Sequence, residues 1–175
     1  MEENIEVPKN SLLVSNSGLA IISVFLPRFF EELEMLTNGE FINNEAARRA
    51  TLLTQYVISG EFVFRENELI MNKVICGVEI ENPVPESIEV TSEETELAES
   101  LLHAVISHWK TLGSTSIAGL RETFLIRSGR IFETDQSWNL EVETKGFDVL
   151  LDSIPWSFGL IYLPWMKKPI KVNWR

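Results

Sequence analysis

Cysteine and histidine are almost absent from this chain, and their scarcity narrows its chemistry. Cys76 is the only cysteine among 175 residues, so an internal disulfide is excluded and a reducing compartment is the expected setting. His103 and His108 are the only histidines. Five positions apart on one helix, they stand ~140° from each other and cannot share a metal as an i, i+4 pair does. There is no glycine-rich phosphate loop, no nucleophile elbow and no Cys or His ligand pattern. The sequence therefore gives no catalytic residue, no metal site and no cofactor to expect.

Positive charge is also short. Fifteen Lys and Arg against 26 Asp and Glu leave a formal charge of −11. The densest basic stretch is Lys167, Lys168, Lys171 and Arg175, too thin to neutralise a run of phosphates, so no nucleic-acid partner is expected. The acidity suits solubility and a basic partner surface. Long apolar runs are missing too. The longest begins at Gly18 and meets Pro27-Arg28 within ten residues, where a membrane span needs ~20. The start, Met1-Glu-Glu-Asn, has neither region of a signal peptide. No membrane span and synthesis in the cytoplasm are the expectations.

What the chain does have is core material. Apolar residues make up 45% of it, with ten Phe and five Trp, ample for one compact domain. Residues 1–15 are expected as a flexible lead-in, polar and carrying Pro8 before the short extended piece Leu12-Leu13-Val14. Residues 16–175 are expected to form a single domain, helical over 16–128 and β-rich over 129–175. The expected fold is α+β, an N-terminal bundle of about five helices followed by a small C-terminal antiparallel sheet.

The helical half rests on spacing. Leu19, Ile22, Leu26, Phe29, Phe30, Leu33 and Leu36 recur in steps of three and four, with Pro27 placed to kink or split the helix and Asn38-Gly39 to end it. A second helix runs from an Asn43 or Asn44 cap to Ser59, and a third from about Arg65 to Ile75. Thr91-Ser-Glu-Glu94 is a capping box that opens a fourth, and Ser116 to about Arg127 is a fifth. After Gly129 the period becomes two: Trp138, Leu140 and Val142 alternate with polar residues, as do Ile170, Val172 and Trp174. Segments at Arg130–Glu133 and Gly159–Leu163 also read as strands, and Phe147–Ile154 as a helical turn.

Few polar residues invite a functional reading. Cys76 reads as an inert core thiol, although Lys73 stands three residues before it. Asp148 and Asp152, four apart, form a pair capable of acid–base or metal work, yet no partner is fixed nearby and they read as surface residues. Glu93, Glu94, Glu96 and Glu99 read as a solvated helix start. Two Pro-Trp pairs stand out, in Ile154-Pro-Trp-Ser-Phe-Gly and Tyr162-Leu-Pro-Trp-Met. Trp156 reads as core filling. Trp165 has two readings, a core plug or a hot spot for a protein partner, with Pro164 and Met166 beside it in the second.

Several blocks together resemble a known family. Asn16-Ser-Gly-Leu-Ala-Ile-Ile with Phe25-Leu-Pro-Arg-Phe-Phe is similar to the opening of the contractile injection system tape measure family. The likeness continues through Leu53-Thr-Gln-Tyr-Val-Ile-Ser-Gly-Glu61, Leu69-Ile-Met-Asn-Lys-Val-Ile-Cys-Gly77 and His108-Trp109. It then runs through Gly119-Leu-Arg-Glu-Thr-Phe-Leu-Ile-Arg-Ser-Gly129, Leu150-Leu-Asp-Ser-Ile-Pro-Trp156 and Leu163-Pro-Trp-Met166, covering about Asn16 to Trp174. The resemblance implies a non-enzymatic part of a phage-tail-like contractile particle. Its partners would be inner tube, spike or baseplate proteins, and its place the bacterial cytoplasm during assembly and then the particle. Family members are usually longer, with this region near their C-terminal end. The expected role is therefore docking in or at the end of the inner tube. The alternative is a chaperone or adaptor for tape or effector loading that is absent from finished particles.

Overall fold

A computed structural model describes residues 8–175. The first strand, β1 (Leu12–Val14), leads through Asn16-Ser-Gly into α1 (Leu19–Ile22), a 3₁₀ turn at Ser23–Phe25 and α2 (Leu26–Glu32). Pro27 sits in the first turn of α2, where its missing N–H costs nothing, so the helical pattern is split there as the sequence suggested. A two-stranded hairpin follows, β2 (Leu36–Thr37) and β3 (Glu40–Phe41), and then α3 (Asn44–Ser59). Asn38 and Gly39 have φ of 53° and 80°. They are the two left-handed residues that a tight hairpin needs, in the Asn-Gly order that favours it.

The third predicted helix is a 3₁₀ turn at Glu66–Leu69 running into α4 (Ile70–Ile75). An extended connector then leads to α5 (Ser92–His108). The Thr91 hydroxyl accepts from the Glu94 N–H at 3.1 Å and Glu94 Oε1 accepts from the Thr91 N–H at 2.9 Å, which makes the predicted capping box. Glu94 does more than cap. Its carboxylate also receives the Arg49 guanidinium at 2.6 and 2.8 Å, tying α5 to α3. It is buried, not part of a solvated helix start.

The fifth predicted helix is α6 (Ile117–Leu120) followed by a π-helical turn over Arg121–Leu125. The chain then enters β4 (Gly129–Glu133) and β5 (Trp138–Val142), passes a 3₁₀ segment at Gly146–Ser153, and ends in β6 (Leu160–Ile161) and β7 (Ile170–Asn173).

The expectation of a helical bundle followed by an antiparallel sheet is corrected. Helices and strands are interspersed, and the five-stranded sheet, ordered β1-β4-β5-β7-β6, is mixed. Two facts of pairing overturn it. β1, from the start of the chain, pairs antiparallel with β4, setting Leu12 opposite Ile131. β7 pairs parallel with β5, setting Leu140 opposite Val172. A parallel pair needs a crossover, and residues 143–169 supply it, with the 3₁₀ segment on the way. Alternation of side chains marks a strand but not the direction of its partner. The two-residue strands β2 and β3 are too short to show a period at all.

The helices pack on one face of the sheet. Leu19, Ile22, Leu26, Leu53, Leu102, Val105, Trp109, Leu125, Ile131, Leu140 and Ile170 are all fully buried. Gly18 is required at the centre of this packing. A Cβ there would lie 2.2 Å from the Leu125 Cα, because its N–H donates to the Leu125 carbonyl at 3.2 Å. The start of α1 thus lies directly on the backbone that leaves the π-turn.

Candidate functional site

The polar residues singled out in the sequence do not converge. His103 and His108 are both exposed on α5, and the His108 Nδ1–H donates to the Ala104 carbonyl at 2.7 Å. Cys76 is 1% exposed, and burial pushes its thiol up to about 12, against smaller opposing hydrogen bonds with Thr51 and Thr54. Such a thiol is not a nucleophile near neutral pH. Among the described residues no three His, Cys, Asp or Glu side chains come close enough to hold a metal ion.

Asp148 corrects the sequence reading. It is a buried residue, and its carboxylate accepts end-on from both terminal nitrogens of the Arg127 guanidinium, at 2.8 and 2.9 Å. The Lys145 N–H and the Trp174 indole donate to the same carboxylate, at 2.9 and 3.1 Å. The same two terminal nitrogens of Arg127 also donate to the Glu143 and Thr123 carbonyls, while Phe147 and Trp174 flank its face. The π-turn brings this about. The Ile126 N–H closes on the Arg121 carbonyl, and the chain then turns extended and carries Arg127 inward. Burial acts to raise the Asp148 carboxyl, but the hydrogen bonds from Arg127, Lys145 and Trp174 outweigh it and hold it below its ordinary value of 3.8. Asp152 stays on the surface, paired with Arg175 at 3.0 Å. Asp148 and Asp152 therefore do not act as a pair.

A second buried polar cluster went unread in the sequence. The side-chain amides of Asn16, Gln55 and Asn72 meet at 2.6 to 3.2 Å, and the Thr54 hydroxyl lies 3.0 Å from Asn72. This cluster joins the lead into α1 with α3 and α4. All three amides lie in blocks that carry the family resemblance.

The Pro-Trp segments are joints as well. The Trp156 indole donates to the Ile21 carbonyl at 2.8 Å and meets Phe25 edge-on. The Trp165 indole donates to the Ile75 carbonyl at 2.8 Å, and its ring packs on Phe30 and Phe41. Trp165 is half-buried, Met166 buried and Pro164 exposed over the Gly39 turn. Trp109 closes the set, its indole donating to the Leu150 carbonyl and Ser153 hydroxyl.

The resembling blocks therefore hold the fold together. In comparison with family models, residues 2–174 match the contractile injection system tape measure protein family, essentially the whole chain. The chain belongs to that family. Among curated proteins and among solved structures, nothing matches. Membership gives this tape-measure-related protein a structural place in a contractile injection system, not an enzymatic one. No helix among the described residues is long and apolar enough to cross a membrane.

Proposed function

We propose that this tape-measure-related chain is a docking component of the contractile particle, held in or at the end of the inner tube through contact with tube, spike or baseplate proteins. The observation that carries this reading is one of length. The longest helix among the described residues, α5, has 17 residues, which span only ~25 Å at ~1.5 Å per residue. The family match covers a compact body that cannot itself measure a tube. Anchoring the end of a longer tape is the task such a body can perform. The edge formed by Pro164 and Trp165, with Met166 beneath it, is the proposed contact. There an exposed proline and a half-buried tryptophan stand side by side.

A pull-down from the producing cells, with this chain as bait and mass spectrometry of what binds, tests the reading. Recovery of tube, spike or baseplate subunits supports docking, and recovery of no particle protein contradicts it. Pro164→Asp, on an exposed residue, is expected to lower that recovery while leaving the melting temperature near wild type. The charge of −11 favours a second reading, an assembly chaperone or adaptor that shields a basic segment of tape or effector. Mass spectrometry of finished particles separates the two, since the chaperone is absent from them.

A further inference from the structure

An open groove of about 500 Å³ runs between α2 and α5. Its walls are Val24, Phe25 and Phe29 on one side and Leu97, Leu101 and Ala104 on the other. Val24 is 46% exposed at its lip. From Leu97 to His108 the groove follows α5 for ~16 Å, about three helical turns. The polar groups at its rim are few. Arg28 and Glu32 bind each other at 2.8 Å, and His108 uses Nδ1 on its own helix. A small ligand would find few free groups to orient it, whereas an apolar trough of this length suits a helix laid into it.

The two ends of the groove differ in charge. The Phe25 and His108 rings lie 6.4 Å apart, so the start of α2 faces the end of α5 and the helices run antiparallel. Glu32 therefore points toward the start of α5, where Glu93 and Glu96 stand exposed one turn before Leu97 and Ser100. The single guanidinium in the groove at this end is Arg28, already paired, and Arg49 beyond it is committed to Glu94. One end is thus acidic. The other is aromatic, with Phe25 backed by Trp156 at 5.1 Å.

We propose that this groove docks a partner protein's amphipathic helix, with its apolar stripe against Phe29 and Leu101 and its Lys- or Arg-bearing end beside Glu93 and Glu96. The inference rests on the docking reading above and names a second contact for it, distinct from the Pro164–Trp165 edge. Opposite charge at one end fixes the direction of the bound helix as well as favouring its approach.

A photo-crosslinking residue placed at Val24, at Ser100 and, as a control, at Lys171 on the outer face of the sheet tests it in the producing cells with the full chain. The expected result is that Val24 and Ser100 cross-link one partner peptide, with apolar residues three and four apart and basic residues on the Ser100 side. Lys171 does not cross-link it. Adding Val24→Glu, an exposed and fold-sparing change, is expected to lower the Ser100 cross-link about tenfold. Cross-links to a second copy of this chain, cross-links to an acidic or extended peptide, groove yields no higher than at Lys171, or indifference to Val24→Glu would each overturn the proposal. The pull-down keeps the two failures apart. If it still recovers particle subunits while the groove positions fail, docking stands and the groove falls. If it recovers none, docking itself falls.

Discussion

The cluster around Asp148 and the cluster around Asn72 do similar work by different means. Both are buried, and both join segments far apart in the chain. The first uses full charges: Arg127 and Asp148 form an end-on bidentate pair, and Trp174 and Lys145 complete the carboxylate. The second uses neutral amides of Asn16, Gln55 and Asn72 with the Thr54 hydroxyl. A charge left alone in a core costs far more than an amide left alone, and only the charge titrates. The sheet end of the molecule should therefore be stiff near neutral pH and fail first in acid. The Asn72 cluster itself carries no titrating group. On the helical side acid acts instead through Glu94, where burial acts to raise the carboxyl but the hydrogen bonds from Arg49 and Thr91 outweigh it and hold it below its ordinary value.

Breaking the charged cluster on one side has the largest expected effect. Arg127→Met leaves a buried carboxylate without its cation and should destabilise the protein by ~3–5 kcal/mol, read as a drop in the urea midpoint. The double change Arg127→Met with Asp148→Leu should cost clearly less than the two single changes added together, since neither charge is then stranded. Asn72→Leu comes next, at ~1–3 kcal/mol, because it leaves the Gln55 and Asn16 amides short of partners.

Acid titration sharpens the contrast. The Asp148 carboxyl is held below 3.8 in the folded chain, so the folded form binds its proton more weakly than the unfolded form. Its contribution is full above that value and is lost as pH falls through the lower, folded one. Asp148→Asn should flatten this acid loss, while Asn72→Leu should run parallel to wild type, shifted down at every pH. The smallest effect is expected at Cys76. With its thiol pushed up to about 12 and buried, iodoacetamide should leave it unlabelled in the native chain and label it once urea unfolds the protein.

The sequence was legible where the signal is local and periodic. Thr91-Ser-Glu-Glu94 places the start of α5 because a capping box is complete within four residues. Pro27 splits the first helical pattern because its geometry acts on its own turn. Trp138, Leu140 and Val142 mark β5, and Ile170 and Val172 mark β7, by alternation. The rest depended on partners distant in the chain. Nothing in Leu12-Leu13-Val14 says that it will pair with β4, and nothing in Ile170–Asn173 says that it will run parallel to β5. Asn38-Gly39 did carry a hairpin signal, but it also stops a helix, and its strands are two residues each.

The buried side chains were hidden for a related reason. Asp148 looked like half of a surface pair with Asp152 because its partner, Arg127, is 21 positions away and is turned inward by a π-turn that no spacing rule announces. The family blocks held the missing clue. Asn16, Gln55, Asn72, Arg127, Trp156 and Trp165 all fall within them, and all prove to be joints. Of the contact proposed at Pro164, Trp165 and Met166, the sequence supplied the residues, and the structure leaves Pro164 exposed, Trp165 half-buried and Met166 buried. The groove between α2 and α5 was latent in the positions of Leu97, Leu101 and Ala104. It needed α2 beside them to exist.

If this chain docks at an end of the inner tube, as proposed, tube length or particle yield depends on it. Electron microscopy of particles from cells lacking its gene tests that most directly. Tubes of irregular length or a sharp fall in particle yield are expected, restored by the wild-type gene and not by one carrying both Pro164→Asp and Val24→Glu. Tubes of wild-type length at normal yield in the deletion strain would contradict it.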